Sequence, residues 1–300
     1  MPTDPRPSID AVSASGASGL SGALDVFDVL NVLKATDLVD LASRVGAHAL
    51  PVFATLLLAL LLVVALTWWV VRRHGVPLAL RRLPPAGVVP VYGAAGFGLV
   101  VGAAALFAEI AEQLGPDATM ARADAALAAA IHAHVSRATL QVFASVTHFG
   151  DTLTLALLGG AVALLLWHQR QRALLLGWVL AVAGNAVLNT TLKRIFERVR
   201  PIHEHGLVNE HSWSFPSGHT SGSTVAYCML AYLTIRLLPA VWHLPAVLGA
   251  AALAFTVGSS RIFLQVHFAS DVAAGFASGL AWLAVSIASV ELGRHYRRRG

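Results

Sequence analysis

The chain has 300 residues, 56% of them hydrophobic and 12% charged, with a mean hydropathy of +0.68, where a soluble globular chain carries about 25% charge. That balance excludes a soluble enzyme and fits an integral membrane protein. The single cysteine, Cys228, excludes an intramolecular disulfide framework and a cysteine-based zinc site, and the net charge of +5 reads as basic cytoplasmic loops on an apolar chain rather than as nucleic-acid binding.

Residues 1–49 form a polar tail, rich in Ser, Gly and Ala at its start. The tail lacks the short basic segment and apolar core of a secretory signal, so no cleavage is expected. Between Leu20 and Ala47 the apolar residues Leu24, Phe27, Leu30, Leu33, Leu38 and Leu41 recur at roughly helical spacing among Asp25, Asp28, Asp37 and Asp40. This is the pattern of an amphipathic interfacial helix. Apolar runs that suit a hydrocarbon core of about 30 Å follow at 50–71, 88–110, 152–168, 173–191, 220–235, 244–260 and 268–290. Between the second and third, Asp117 to Gly150 mixes Leu127, Ile131, Leu140 and Phe143 with His132, His134, Arg137 and His148, and reads as helices lying on the membrane surface. The sequence predicts an all-α polytopic transmembrane bundle: a tail over 1–49, an additional span and loop over 50–87, a membrane domain over 88–291 and a basic tail over 292–300.

The loops assign an orientation. The connections 72–87, 169–172 and 236–243 and the tail 292–300 hold 11 of the 21 basic residues and no carboxylate, whereas the opposite connections hold 15 of the 16 carboxylates. The positive-inside rule puts the first set, with the C-terminus, in the cytoplasm. Trp68, Trp69, Trp167 and Trp242 lie at the same helix ends, as an interfacial aromatic belt does. Loops 192–219 and 261–267 then face the periplasm or exterior.

Ionisable groups beside membrane helices mark function by default, and three clusters fall on that outer side. The first runs from Lys193 to Pro201. If its helix continues to Pro201, Lys193 and Arg200 lie about 20° apart on one face, and two permanent cations point one way. The second is Phe215-Pro216-Ser217-Gly218-His219, where Pro216 and Ser217 suit a helix start. Gly218 there lets a backbone N–H approach an anion, with His219 beside it as a proton donor. The third is Ser260-Arg261, then His267 and Asp271 at an i, i+4 spacing. That spacing lets the carboxylate fix one imidazole nitrogen and leave the other as a nucleophile.

In this order the three clusters, Lys193 to Arg200-Pro201, Pro216 to His219, and Ser260-Arg261 with His267 and Asp271, resemble the type 2 phosphatidic acid phosphatase (PAP2) superfamily at every motif position. The resemblance covers about residues 90–290 and leaves the first 85 unexplained. It implies a six-span core, here with one additional N-terminal span. It also implies cleavage of phosphomonoesters or pyrophosphates through a phosphohistidine, without metal or cofactor. His267 would be the nucleophile, Asp271 its orienting partner and His219 the acid; Lys193, Arg200, Arg261, Ser217 and Gly218 would hold the phosphoryl oxygens.

A lipid substrate in the bilayer follows from the membrane setting: undecaprenyl pyrophosphate first, then phosphatidylglycerol phosphate and phosphatidic acid. Two rivals stay open. A lipid phosphotransferase would discharge the same phosphohistidine onto another acceptor, and a lipid-phosphate binder or transporter would dispense with the nucleophile. A soluble vanadium haloperoxidase is excluded by composition. His203, His205 and His211 with Glu204 and Glu210 have a spacing open to zinc, but a lid that includes Trp213 is the preferred reading. Asn185 and Asn189 read as bonds to a neighbouring helix, the pairs Gly98/Gly102 and Gly275/Gly279 as close packing within one subunit, and Asp151 as the N-cap of the helix beginning at Thr152. Cys228 reads as a packing residue.

Overall fold

The computed structural model describes residues 26–75, 85–115, 118–201, 206–208, 210 and 212–297. Positions 20–25 of the expected amphipathic helix, Arg81 and Arg82, and Arg298 and Arg299 lie outside the described residues. The described chain is all helical: α1 Val26–Ala47, α2 Ala49–Val70, α3 Pro85–Glu112, α4 Thr119–His134, α5 Arg137–Thr147, α6 Thr152–His168, α7 Arg172–Phe196, α8 Gly218–Leu237, α9 His243–Phe263 and α10 Ala269–Arg297. Each apolar run of the sequence falls in one of these helices, save Val71, in a π-helical turn over Val71–Gly75, and Phe268, which directly precedes α10. Four stretches are long and apolar enough to cross a membrane, within Ala49–His74, Arg172–Phe196, Ala240–Phe263 and Ala269–Arg294. A fifth joins them if Arg137–Gly150 and Thr152–His168, bent by 41°, form one span. The helix α6 alone has 17 residues, short of the ~20 a crossing needs.

Local chemistry sets the helix ends. Ser136 accepts a hydrogen bond from the Thr139 N–H at 3.2 Å and starts α5. Ser217 accepts from Thr220 N at 3.4 Å and starts α8, while Pro239 ends it by excluding its predecessor from helical geometry. The expected continuation of α7 to Pro201 does not occur. Glu197 adopts a left-handed conformation (φ 43°) and the helix stops at Phe196. Residues 197–201 leave as an irregular strap, so Lys193 and Arg200 do not share a helix face.

Helices α6, α7, α8 and α10 meet around Trp178, which is 1% exposed and donates to Gly159 O at 2.9 Å; Leu166, Leu174, Ala181, Val225, Met229 and Val290 pack about it. Lipid is as apolar as leucine, so burial alone does little to hold such helices together, and small residues that permit close approach matter more. The pair Gly275/Gly279 meets that expectation. A Cβ added at Gly275 would lie 2.9 Å from Ser217 O and one at Gly279 3.1 Å from Ser221 O, so the start of α8 rests on α10. Gly98 and Gly102 do not: neither would bring a Cβ within 4 Å of a neighbouring atom. Asn185 and Asn189 reach α8 or its approach as expected, at Ser221 Oγ (3.5 Å) and Pro216 O (3.4 Å). Cys228 is a half-buried packing residue between two core clusters.

The N-terminal segment docks on this bundle. Helix α1 lies along α4, where a Cβ on Gly46 would stand 2.6 Å from Ala130 Cβ. Helix α2 lies along α9, with Phe53 edge-on to Phe143 (5.3 Å) and Phe263 (6.0 Å) and stacked on Phe255 (5.8 Å). The alternation of helix direction brings the start of α6, the end of α7, the start of α8, the end of α9 and the start of α10 to one end of the bundle. Arg170, Arg172, Arg236 and Arg294 occupy the opposite helix ends.

Candidate active site

At the shared end, the loop from Leu264 to Phe268 carries His267 between α9 and α10. The ring is 2% exposed. Its Nδ1 faces Asp271 Oδ2 at 3.4 Å and Ser214 Oγ at 3.3 Å, and Arg200 Nη1 donates to Nε2 at 3.0 Å. These partners assign the tautomer with the proton on Nδ1 and the lone pair on Nε2. Burial, with Arg200 and Arg261 nearby, holds the imidazole pKa well below its ordinary value against the pull of Asp271, so the ring is neutral at pH 7. Asp271 is fixed in turn: Oδ2 accepts from Ser214 Oγ (2.5 Å) and Phe268 N (2.9 Å), and Oδ1 from Arg198 (2.6 Å).

The expected cations converge, although by a different route. Arg200, on the irregular strap, donates to Val266 O at 2.6 Å and to Ser212 O at 2.7 Å. Lys193, in the last turn of α7, reaches the Ser212 hydroxyl at 3.0 Å, and Arg200 Nη2 reaches the same oxygen at 3.0 Å. Arg261, fully buried in the last turn of α9, donates to Thr147 Oγ1 at 2.7 Å and to Glu210. Glu210 sits among them, hydrogen-bonded to Arg261, 3.5 Å from Arg200 and 3.9 Å from His219 Nδ1. Burial pushes its pKa up, but Arg261, His219 and Arg200 outweigh that and hold it below the usual glutamate value. The cluster already accommodates an anionic group.

His219, in the first turn of α8, turns Nε2 to Asp151 Oδ1 at 2.8 Å and Nδ1 toward Glu210. Gly218 brings the helix start against Lys193, where an added Cβ would lie 2.9 Å from Asn189 Oδ1 and 3.8 Å from Lys193 Cε. The Ser217 hydroxyl points elsewhere: it is buried, accepts from Thr220 Oγ1 at 2.9 Å and serves as the cap of α8. Ser217 N donates to Asp271 O at 3.0 Å, tying the second cluster to the third.

Besides Ser212, Ser214 and Thr147, sequence reasoning missed the roles of four charged partners. Arg198 bridges Asp271 and Asp124 (3.0 Å) and lies 4.4 Å from the centre of the Phe268 ring. Asp124, buried on α4, also accepts from Ser270 N at 3.2 Å, and burial raises its pKa against the pull of Ser270 and Arg198. Asp151 occupies the expected cap position but makes no capping bond, and Glu210 enters from the loop. Trp213 is exposed, and its carbonyl accepts from Lys193 and Arg200. His203, Glu204, His205 and His211 of the zinc and lid readings lie outside the described residues. No cluster of His, Cys, Asp and Glu suited to a metal occurs among the described residues.

A membrane-spanning helical bundle that gathers two histidines, their carboxylates and three cations around an anion belongs to the class of multi-pass proteins built to handle charged phosphate groups at a membrane surface. The PAP2 superfamily model matches residues 173–293. Phosphatidylglycerophosphatase B of Bacillus subtilis (strain 168) is 37% identical over 145 residues, 47% of this chain and 70% of that one. Decaprenylphosphoryl-5-phosphoribose phosphatase of Mycobacterium tuberculosis (strain ATCC 25618 / H37Rv) is 36% identical over 163 residues, 51% of this chain and 81% of that one. The crystal structure of a transmembrane PAP2 type phosphatidylglycerolphosphate phosphatase from Bacillus subtilis superposes with a TM-score of 0.58 at 30% identity, over 63% of this chain and 94% of that one. The chain belongs to the PAP2 superfamily and is a multi-pass membrane phosphatase, a hydrolase of phosphate esters.

Proposed function

We propose that this protein hydrolyses lipid phosphates at the outer membrane face through a phosphohistidine on His267, without a metal. The observation that carries the proposal is the His267 environment: a buried neutral imidazole, backed by Asp271 on Nδ1, with Nε2 directed at a guanidinium of the cation cluster. Nε2 attacks phosphorus, the bond to the leaving oxygen breaks, and His219 gives that oxygen a proton from Nδ1. Water then attacks phosphorus as the N–P bond breaks and yields its proton to the same Nδ1, releasing phosphate and restoring both histidines. Lys193, Arg200, Arg261 and the Gly218 N–H hold the phosphoryl oxygens, so positioning and charge neutralisation supply most of the rate. Ser217 contributes by capping α8. Phosphate takes the place that Glu210 occupies.

A lipid substrate is supported by an apolar cavity of about 240 Å³ between α3, α7 and α10, lined by Phe107, Leu188, Leu192, Trp282 and Val285 among others. Leu192 directly precedes Lys193, so the cavity reaches along α7 to the level of the cation cluster. Lipid phosphomonoesters, phosphatidylglycerol phosphate first and phosphatidic acid after it, head the order of substrates, because both relatives are named for phosphatases of phosphorylated lipids; undecaprenyl pyrophosphate follows. We further propose the topology of a six-span core over 88–291, one additional span within 50–87, a tail over 1–49 and a cytoplasmic tail over 292–300. Its support is that the connections at the ends opposite the site are basic and hold no carboxylate, whereas the site end mixes its cations with Asp124, Asp151, Glu210 and Asp271. Phosphate release by the purified protein in excess EDTA, over a panel of these lipids, tests the activity. Release that survives chelation and ranks the lipids supports the proposal; release that chelation abolishes, or no release from any lipid by folded protein, refutes it.

A further inference from the structure

We infer that Asp151 is the positioning residue of the acid: its carboxylate holds His219 Nε2–H so that Nδ1 is the nitrogen that gives a proton to the leaving group and takes one back from water. The inference rests on the proposed role of His219 and extends it to a residue outside the three sequence clusters.

The local structure singles Asp151 out. It precedes α6 with the extended backbone of an N-cap (φ −62°, ψ 144°), yet its side chain makes no capping bond. An N-cap aspartate ordinarily accepts the first N–H groups of its helix. Here the carboxylate is directed instead at two imidazoles, His219 Nε2 at 2.8 Å and His148 Nδ1 at 2.7 Å. The carboxyl pKa is set by burial, which raises it, and by His148 and His219, which together lower it below the ordinary aspartate value. The group is therefore a carboxylate at neutral pH.

The turn carrying Asp151 is wedged against the site. A Cβ added at Gly150 would lie 2.5 Å from Val257 Cγ1 and 3.0 Å from His219 Cδ2. Tyr227, on α8 with His219, donates to Phe149 O at 2.7 Å. Thr147, just before the turn, accepts from Arg261. One short segment thus braces both the candidate acid and a candidate phosphate ligand. The other charged groups facing His219 are Glu210 from the loop, 3.9 Å from Nδ1, and Arg261 from α9.

With Asp151 accepting from Nε2–H, the proton that moves is the one on Nδ1, the nitrogen facing the anion held by Arg261 and Arg200. In the first step the P–O bond breaks and the leaving oxygen takes the Nδ1 proton, leaving neutral His219 with Nε2–H still on Asp151. In the second, Nδ1 accepts the proton of the attacking water. Without the carboxylate the neutral ring loses its preference for that tautomer, and the imidazolium loses a negative neighbour. Its pKa falls, and the acid form is lost at a lower pH.

The test uses the full chain in detergent and compares kcat/KM, which reports on leaving-group departure, for p-nitrophenyl phosphate and for a lipid phosphomonoester. The nitrophenolate leaves without a proton, whereas the lipid alkoxide needs one. Asp151→Asn is expected to lower kcat/KM about 10- to 100-fold on the lipid, by analogy with carboxylates that orient metal-ligating histidines, and less than about 3-fold on the nitrophenyl ester. The alkaline limb of its lipid pH profile moves to lower pH, and Asp151→Glu restores part of the lipid rate. His219→Ala is the reference and shows the same selectivity, more strongly. Equal losses on both substrates in Asp151→Asn beside a selective His219→Ala overturn the inference and leave the acid assignment standing. An unselective His219→Ala overturns the assignment itself. If Asp151→Asn does not fold, Asp151→Ser, which also suits an N-cap, carries the same comparison.

Discussion

Arg198 offers a perturbation whose size follows from geometry. Its guanidinium joins Asp271 at 2.6 Å and Asp124 at 3.0 Å, with side-chain exposures of 11%, 0% and 5% for Arg198, Asp271 and Asp124. Such burial places the pair outside the regime of surface salt bridges, which contribute about 0–1 kcal/mol. Arg198→Met leaves two carboxylates in a cavity that water barely reaches, and removing one partner of a buried pair costs about 3–5 kcal/mol. Protonation of Asp124, whose pKa burial already raises, draws the loss toward the lower end. At roughly 2–4 °C per kcal/mol for a large domain, a loss at that lower end, about 3 kcal/mol, lowers the apparent Tm in detergent by about 6–12 °C. Asp124→Asn in the same background removes one stranded charge, so the double variant recovers about 1–2 kcal/mol relative to the sum of the singles. Activity falls with Arg198→Met as well, since Asp271 loses the partner of Oδ1. Thermal unfolding followed by circular dichroism decides the matter: a Tm within about 2 °C of wild type, or strict additivity in the double variant, refutes the reasoning.

Glu210→Gln removes the charge that pairs with Arg261 and Arg200, the groups proposed to hold phosphate. Its KM for a phosphomonoester is expected to fall about 3- to 10-fold, equivalent to about 0.7–1.4 kcal/mol, and inorganic phosphate should raise its Tm more than that of wild type; an unchanged KM counts against the overlap. Gly275→Val forces a side chain into Ser217 O and Thr220, each 2.9 Å from an added Cβ. That separates α8 from α10 at a cost of about 1–3 kcal/mol with loss of activity, whereas Gly98→Val, with open space around it, stays within about 0.5 kcal/mol. The pH dependence of stability has a definite sign. His267 has a folded-state pKa well below 6.5, so its unfolded form binds the proton first. Its contribution is intact above that pH and is lost as pH falls below it. Glu210, held below 4.5, is lost in the same direction at lower pH. Tm should therefore drop between pH 7.5 and 5, and His267→Gln should flatten part of that slope.

Some of this was legible in the sequence and some was not, for identifiable reasons. Apolar runs of helical length announce membrane helices because lipid leaves the backbone no other partner; each coincides with a helix to within a residue, although only four or five of the seven lie in stretches long and apolar enough to cross. His267 and Asp271 are close in sequence and joined by a helix start, so their spacing carried their proximity. Lys193 and Arg200 meet despite the wrong premise: Glu197 in a left-handed conformation ends α7 early, a backbone event that nothing in the composition foreshadows. Arg198 and Asp124 are separated by 74 residues, and a single chain gives no signal for so distant a pair. Asp151 looked like a cap because it stands where caps stand; only the proximity of α8 diverts its side chain. The Ser217 hydroxyl did the reverse and stayed a cap. Gly98 and Gly102 share their spacing with Gly275 and Gly279 but have no neighbouring atom within 4 Å of an added Cβ, which spacing alone does not report.

The central claim is the covalent intermediate, and trapping it tests the account most directly. Protein mixed in excess EDTA with a lipid monoester carrying labelled phosphate, quenched in alkali within the first turnover, should carry label on the peptide containing His267. The His267→Ala variant should carry none and release phosphate at least about 10⁴-fold more slowly. Label on another residue, or undiminished turnover in that variant, contradicts the account.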